Sequence, residues 1–303
     1  MNAPAPAPTH VSDPRLGVIA GAGAYLFWGV IAVIYFKQLH HVPPFEILGY
    51  RIVGSVVSLA LFLQLTTGFG ELSRMLRSPK LLGWLTLTAV LVSINWLIFI
   101  YAIGQNKVIE CSLGYFITPL FQVALGVVVL REKLRVMQGV AVAIATLSVA
   151  VQVFLVGGFP WIALGLASSF SLYALFRKQL NLAAVPALTV ECLVLMPVGI
   201  LLMAWPMRGL VIEGAGVAVH DVPTWVYLAL AGAITAIPLV LFGIAARNLR
   251  LSTIGFLQYL GPTCQLVLAV FLYHEPLDGM KLFSFVLIWI ALVVFSVDAI
   301  RKS

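Results

Sequence analysis

Apolar stretches of about 20 residues recur along this chain, and they decide what it can fold into. The first runs from Leu16 to Phe36, and similar stretches cover most of the sequence. About 20 apolar residues in a helix span the hydrocarbon core of a bilayer, which is about 30 Å thick. Because 62% of the residues are hydrophobic and only 10% are charged, a water-soluble fold would lack a polar surface. The sequence therefore predicts a polytopic membrane protein.

The apolar stretches are continuous rather than alternating, which predicts helices and not the strands of a membrane barrel. The first stretch is longer than the core of a signal peptide, so we expect it to remain as a membrane anchor. The residues before it, 1–15, form a predicted disordered cytoplasmic tail. The ten predicted spans are 16–36, 44–66, 81–103, 108–130, 136–155, 159–176, 185–205, 223–246, 253–274 and 280–299.

Basic residues between the spans indicate the orientation, because cytoplasmic loops retain an excess of Lys and Arg. Of the 18 basic residues, 13 lie on the side of the N-terminus. The opposite side holds only Lys37, Lys107, Arg208 and Lys281. We therefore expect both termini in the cytoplasm. A basic inner face toward anionic lipid also explains the net charge of +7, so the sequence predicts no nucleic-acid partner.

An internal repeat divides the chain into two halves. Four residues of the fourth span recur in the ninth, each at an offset of 143: Pro119, Gln122, Glu132 and Leu134 match Pro262, Gln265, Glu275 and Leu277. Since each half holds five spans, an odd number, the second half must enter the membrane in the opposite direction. We expect an all-α fold of two inverted five-helix repeats, 16–155 and 156–303. Secondary transporters are commonly built in this way, with the substrate site between the repeats.

Two polar stripes accompany prolines in the fourth and ninth spans. Proline in mid-helix removes a backbone donor and frees a carbonyl, so Pro119 and Pro262 predict kinks. Helical spacing places the polar residues near each kink on one face. We expect these stripes to line a solute cavity, although hydrogen bonds between packed helices would also explain them. The predicted cavity residues are Tyr115, Thr118, Gln122, Gln258, Tyr259 and Gln265.

Five further residues are candidates for solute contact. Trp28, Asn95 and Trp96 lie deep in their spans and suit an apolar cavity wall with orienting donors. Arg51 lies about 10 Å inside the predicted outer leaflet, which suggests anion binding or gating, with snorkelling to the interface as the alternative. Glu191 enters from the inner side, where a first-turn helix acid is the alternative. Because about 10 Å separates their depths, we expect no salt bridge between Arg51 and Glu191.

Other functional classes have little support in the sequence. Cys111, Cys192 and Cys264 lie inside apolar stretches, so neither a disulfide framework nor a metal site is predicted. The motifs His-Glu-x-x-His and Gly-x-Ser-x-Gly are absent, which argues against an enzyme. A passive channel or a membrane sensor remains an alternative. We expect the partners to be a small-molecule solute and the lipid bilayer, with no cofactor.

Several segments resemble a known family. They are Leu26-Phe27-Trp28-Gly29, Glu46-Ile47-Leu48 with Arg51, Asn95-Trp96-Leu97, Ser112 to Ile117 with Pro119, and Arg250 to Phe256 through Gln258-Tyr259 and Gly261-Pro262-Thr263. They are similar to the RarD group of the EamA family, in the drug/metabolite transporter superfamily. The resemblance implies a ten-span permease of the bacterial inner membrane that exports small metabolites or drug-like solutes. The chain departs from the family pattern in two places. No proline follows Gly29 in the first span, and Arg131 precedes Glu132 where relatives commonly have glycine.

Overall fold

The computed structural model of the chain describes residues 13–104, 107–156, 159–213, 221–272 and 279–300. Within these ranges all regular structure is helical. Two five-residue π-helical segments interrupt the α-helices, at Phe27–Ile31 and at Leu268–Leu272. In chain order the α-helices are α1 (Pro14–Leu26), α2 (Ala32–Gln38), α3 (Pro44–Leu65), α4 (Gly70–Arg77), α5 (Pro79–Gly104), α6 (Val108–Val128), α7 (Val136–Val156), α8 (Trp161–Leu180), α9 (Ala184–Glu213), α10 (Val222–Asn248), α11 (Leu251–Gln258), α12 (Leu260–Val267) and α13 (Gly279–Ile300).

Seven helical segments in the described ranges are long and apolar enough to cross a membrane. They are Pro14–Gln38, Pro44–Leu65, Pro79–Phe99, Val136–Phe154, Ala184–Met203, Val222–Asn248 and Leu251–Leu272. Two shorter apolar segments, Leu113–Val128 and Leu282–Asp298, accompany them. In helices of this kind every backbone polar group bonds within its own segment, as the interior of a bilayer requires. The fold is therefore that of a polytopic helical membrane protein, and the count of ten spans stays a prediction.

The first predicted span, 16–36, is not one regular helix. It comprises α1, the π-helical segment Phe27–Ile31 and α2. No proline causes this change, in contrast to most helix kinks. The segment brings Gly29 against α12, where an added Cβ would lie 2.8 Å from the carbonyl oxygen of Gly261. Glycine is therefore required for this close approach of two helices.

The ninth predicted span, 253–274, is also divided. It breaks at Tyr259, three residues before Pro262, and continues as α12 and the π-helical segment Leu268–Leu272. One element, α4, was not predicted. This short helix buries Leu72 and Met75 beside α9 and keeps its charged side chains outside, as an amphipathic helix at an interface does.

Helix α3 packs between α9 and α10, and small residues allow the close approach. An added Cβ on Gly232 of α10 would lie 1.9 Å from the backbone of Gly54 in α3. The Ser55 hydroxyl donates to the carbonyl oxygen of Gly232 at 3.0 Å at the same crossing. On the other side, a Cβ on Gly49 would lie 2.7 Å from Met203 in α9. Small residues at such crossings are typical of membrane helices.

Acidic side chains cap the first helix and the tenth. The Asp13 carboxylate accepts from the backbone N–H groups of Arg15 and Leu16, at 2.9 and 3.2 Å. Asp221 accepts from the backbone N–H of Thr224 at 3.1 Å. Hydrogen bonds from Thr224 hold the pKa of the Asp221 carboxyl below its usual range. Both carboxylates satisfy donors that a helix start leaves free.

Some predicted features lie outside the described residues. They are most of the predicted tail, the loop residues Glu275 and Leu277 of the repeat, and the side chains of Cys111, Arg208 and Lys281.

Candidate functional site

The Arg51 side chain lies among residues of four other helices, and we call this group the Arg51 cluster. Its Nε donates to the Thr235 hydroxyl of α10 at 3.0 Å. Its guanidinium carbon lies 5.0 Å from the ring centroid of Phe36 and 5.2 Å from that of Trp96. The Tyr115 phenol is within electrostatic range of the same guanidinium. These distances are those of cation–π contacts, so two aromatic rings hold the cation in place.

The two deep tryptophans belong to the same region. Trp28 and Trp96 are both partly exposed, and both pack against the buried cluster that contains Leu59, Leu188 and Leu239. The Trp28 ring also lies 5.7 to 6.3 Å, between ring centroids, from the aromatic rings of Tyr25, Phe170 and Phe242. Apolar walls with a few polar groups are typical of sites for small molecules. Together with the Arg51 cluster, the tryptophans therefore form the candidate solute site.

The Asn95 side chain is engaged by protein partners. Its amide nitrogen donates to the carbonyl oxygen of Leu166 at 2.9 Å and to the Ser169 hydroxyl at 3.1 Å. These bonds join α5 to α8. Tyr115, another predicted cavity residue, is partly exposed, and the centroid of its ring lies 6.4 Å from that of Phe99.

Glutamines of the two polar stripes contact each other. Gln122 donates its amide to the Oε1 atom of Gln258 at 2.9 Å, and the Tyr25 hydroxyl reaches the same oxygen at 3.5 Å. Gln122 is fully buried, and its own Oε1 has no geometric hydrogen-bond partner among the described residues. Gln265, the repeat counterpart of Gln122, is partly exposed and is not its partner.

Two other residues of the stripes, Thr118 and Tyr259, take part in contacts between helices. Thr118 is buried and donates to the carbonyl oxygen of Gly114 in its own helix at 2.7 Å. The Thr118 carbonyl oxygen in turn accepts from the Ser171 hydroxyl of α8 at 3.3 Å. The Tyr259 hydroxyl donates to the carbonyl oxygen of Phe116 at 3.3 Å. Both carbonyls lie within one turn of Pro119, where a helix lacks one backbone donor.

Glu191 lies in a buried ion pair that the sequence interpretation missed. Its carboxylate lies 3.4 Å from Arg177 Nη1 and accepts from the hydroxyls of Thr88 and Tyr173, at 2.7 and 3.2 Å. The absence of a bridge to Arg51 was expected. The bond to Arg177 was not expected, because the sixth predicted span ends at residue 176, whereas α8 continues to Leu180 and buries Arg177.

Glu132 connects the end of the fourth predicted span to the start of α11, and we call this contact the Glu132 clamp. The carboxylate accepts from the backbone N–H of Leu251 at 2.7 Å and from that of Ser252 at 3.0 Å. It also accepts from the Ser252 hydroxyl at 2.6 Å. A carboxylate at a helix N-terminus satisfies free donors and complements the helix dipole. The clamp therefore joins the segment after α6 to the start of α11, across 119 to 120 residues of sequence.

Other polar contacts surround the Glu132 clamp on the same face. Arg250 donates to the carbonyl oxygen of Lys133 at 3.1 Å, and Lys178 donates to that of Leu249. Arg135 forms a salt bridge with Asp298 of α13 at 3.2 Å. In the described part of the chain, no group of three or more His, Cys, Asp or Glu residues could hold a metal ion.

Comparison with known proteins identifies the family. The model of the EamA-like transporter family matches residues 15–154. Protein RarD of Salmonella typhimurium is 41% identical over 94% of this chain and 96% of the relative. The chain belongs to the EamA-like transporter family. An uncharacterized transporter of Vibrio cholerae serotype O1 is 39% identical over 95% of this chain and 94% of the relative. The resemblance to RarD proteins read from the sequence is thereby confirmed.

A solved structure supports the fold of this EamA family member. It is a crystal structure that covers 92% of this chain and 96% of its own, with a TM-score of 0.71 and 18% sequence identity. Together with the apolar helices and the bacterial relatives, the family membership makes the chain a multi-pass membrane transporter of the inner membrane.

The expected departure from the EamA family pattern at Arg131 has a structural consequence. Arg131 has a φ of +55°, in the left-handed region that favours glycine. The chain reverses here after α6 and places Glu132 on α11. Glycine would adopt this conformation without strain.

Sequence reasoning did not find Thr235 and Phe36, which hold Arg51 in place. Thr235 lies in an apolar span without a motif, and Phe36 lies at the end of the first predicted span. Neither position carried a signal, because both contacts form between segments distant in sequence.

Proposed function

We propose that this chain is a secondary transporter that exports a small metabolite or drug-like solute by alternating access. Its halves, 16–155 and 156–303, would act as inverted five-helix repeats of ten spans in total. The observation that carries the proposal is the Glu132 clamp, in which three hydrogen bonds join Glu132 of the first half to the start of α11 in the second half. Rocking of such repeats about a central site is the usual mechanism of secondary transporters.

Two observations support the repeat. Helices α6 and α11 begin at Val108 and Leu251, which are 143 residues apart, the offset of the sequence repeat. Phe116 and Tyr259 are also 143 residues apart, and they contact each other. Repeat-related residues that touch must lie near the axis that relates the two halves. The family match over residues 15–154 is consistent with the proposed first repeat.

The asymmetry between the polar stripes supports two alternating states. Gln122 and Gln258 are buried against each other, whereas their repeat counterparts Gln265 and Tyr115 are partly exposed. If the two stripes had identical environments, one symmetric conformation would explain both of them. We infer that this structure represents the state closed at the face of the Glu132 clamp. If both termini are cytoplasmic, as the basic residues suggest, this state is open outward.

The orientation can be tested with reporter fusions. A fusion at Ser303 should report a cytoplasmic location and one after Arg208 an external location. The reversed pattern would exchange the inward and outward assignments and contradict the proposed topology.

The transport function requires two measurements. Metabolite profiles of a deletion strain and an overproducing strain should differ in extracellular solutes, with more of one solute outside the overproducing cells. Purified protein in proteoliposomes should then exchange that solute in counterflow, because a carrier reorients with its ligand bound. Leak of the solute without counterflow would identify a channel, and unchanged profiles in both strains would contradict an exporter.

A further inference from the structure

Two arginines are held deep within the described part of the protein, and they have different partners. Arg177 is paired with Glu191 at 3.4 Å. Arg51 takes part in none of the four salt bridges of the described residues, which join Arg74 to Glu71, Lys107 to Glu110, Arg135 to Asp298, and Arg177 to Glu191. A charged side chain inside a membrane protein almost always has a partner or faces a water-filled cavity. Arg51 is therefore a half-buried cation without a salt bridge among the described residues, and it can accept a counter-charge or water.

The guanidinium has donors free for such a partner. The Nε atom donates a hydrogen bond to the Thr235 hydroxyl, whereas Nη1 and Nη2 donate to none of the described residues. The Arg51 side chain is half-buried among α2, α5 and α10, so part of it remains accessible to a partner. Two parallel N–H donors match a carboxylate in bidentate geometry.

The surroundings indicate what else the partner contains. Phe36 and Trp96 flank the guanidinium, and Trp28 lies against the same buried cluster as Trp96. None of the four salt bridges of the described residues involves Arg51, and the buried carboxylate of Glu191 is already bonded to Arg177 and two hydroxyls. An apolar or aromatic body would pack on the tryptophans, while a cationic solute would meet an unpaired positive charge.

We propose that Arg51 binds the carboxylate of the transported solute, and that the solute is an organic anion with an apolar or aromatic body. That the bound solute is also transported rests on the proposed function. The binding of a carboxylate by Arg51 does not depend on that function. Thr235 is a positioning residue that fixes the direction of the guanidinium, and the aromatic rings of Phe36 and Trp96 keep it from turning away.

The test uses three probes of equal shape and different charge. Phenylacetate, phenylacetamide and phenethylamine are titrated into purified protein in phosphatidylcholine nanodiscs, and binding is measured by calorimetry. Phenylacetate should bind at least about tenfold more tightly than the amide, since one charge-assisted pair is worth more than about 1.4 kcal/mol. The amine should bind more weakly still. This comparison in the wild-type protein needs no variant and does not depend on how a variant folds.

Variants then assign the preference to one residue. Arg51→Gln should bind phenylacetate and phenylacetamide equally, and Arg51→Lys should retain part of the preference. Arg74→Gln serves as the matched control, because Arg74 is an arginine with a 62% exposed side chain outside the cluster. Equal binding of all three probes to the wild-type protein, or a preference unchanged in Arg51→Gln, would overturn the proposal.

An anionic lipid headgroup presents similar chemistry to the guanidinium. The titration is therefore repeated in nanodiscs that contain phosphatidylglycerol. If the lipid removes the phenylacetate preference, the site belongs to the headgroup and the proposal fails. Failure of the transport function is distinguishable, because counterflow would then be absent although the preference for the carboxylate persists.

Discussion

Removal of the Glu132 carboxylate should open the face of the protein that the clamp closes. The perturbation is Glu132→Ala, which deletes the acceptor of three hydrogen bonds of 2.6 to 3.0 Å at the start of α11. A helix cap contributes about 1 kcal/mol and a charge at a helix N-terminus about 0.3–1 kcal/mol. Hydrogen bonds to a charged group contribute about 1.5–3 kcal/mol. Because these contributions overlap and Glu132 is partly exposed, we expect about 2–3 kcal/mol in total.

This energy is enough to change the population of the two states. At about 1.4 kcal/mol per tenfold change, it alters their ratio by about 30- to 150-fold. Minor states of switching proteins are typically populated at about 0.1–10%. An open state present at about 1% would rise to between about a quarter and about three fifths. Glu132→Gln, which keeps one acceptor oxygen, should lie between the wild type and the alanine variant.

Spin labels on either side of the clamp measure the population directly. Cysteines introduced for Lys133 and Arg247, in protein without native cysteines, carry the labels, and pulsed electron paramagnetic resonance gives their distance distribution. Neither side chain takes part in the clamp. Glu132→Ala should add a longer distance, whereas the control Glu71→Ala removes a 53% exposed carboxylate and should not. An unchanged distribution in Glu132→Ala, together with a lower melting temperature, would refute the clamp as a conformational element.

Three further predictions concern stability, measured by thermal melting in detergent. Gly232→Ala places a Cβ 1.9 Å from the backbone of α3 and should cost about 2–3 kcal/mol or more, whereas Gly139→Ala, with no atom within 4 Å, should be neutral or stabilising. Arg177→Met leaves the carboxylate of Glu191 buried without a cation and should cost about 3–5 kcal/mol, most of which the added change Glu191→Leu should restore. Arg131→Gly relieves a left-handed residue and should stabilise by up to about 1 kcal/mol, while Arg131→Val should destabilise. Equal losses within any of these pairs would contradict its explanation.

The membrane helices could be predicted because the bilayer imposes one simple rule on the sequence. A segment that crosses it must be apolar and must satisfy its own backbone, so the stretch 44–66 predicts a helix close to the observed Pro44–Leu65. The rule does not extend to interruptions inside a helix. The π-helical segment at Phe27–Ile31 depends on the contact of Gly29 with α12, which is a property of the assembled fold.

Side-chain partners were harder to predict than helix faces. Periodicity predicts that Gln122 shares a helix face with other polar groups, but it cannot predict that Gln258 of another helix lies opposite. Charge alone likewise could not distinguish Arg177 in a loop from Arg177 in a buried pair. The difference depends on whether α8 ends before or after residue 177, and helix ends are set by local contacts rather than by hydrophobicity.

The proposed inverted repeat would explain why the buried polar groups of this protein need not be bonded to protein partners in every state. In an alternating carrier each polar stripe is buried in one state and lines the open cavity in the other. A residue that is bonded across the interface in the first state therefore faces the cavity in the second. Gln122 is bonded to Gln258 here, while Gln265 is partly exposed. In the opposite state we expect Gln265 to become buried and the Gln122 pair to separate. The hydrogen bond from Gln122 to Gln258 fits this requirement, because it can break in one state and form in the other.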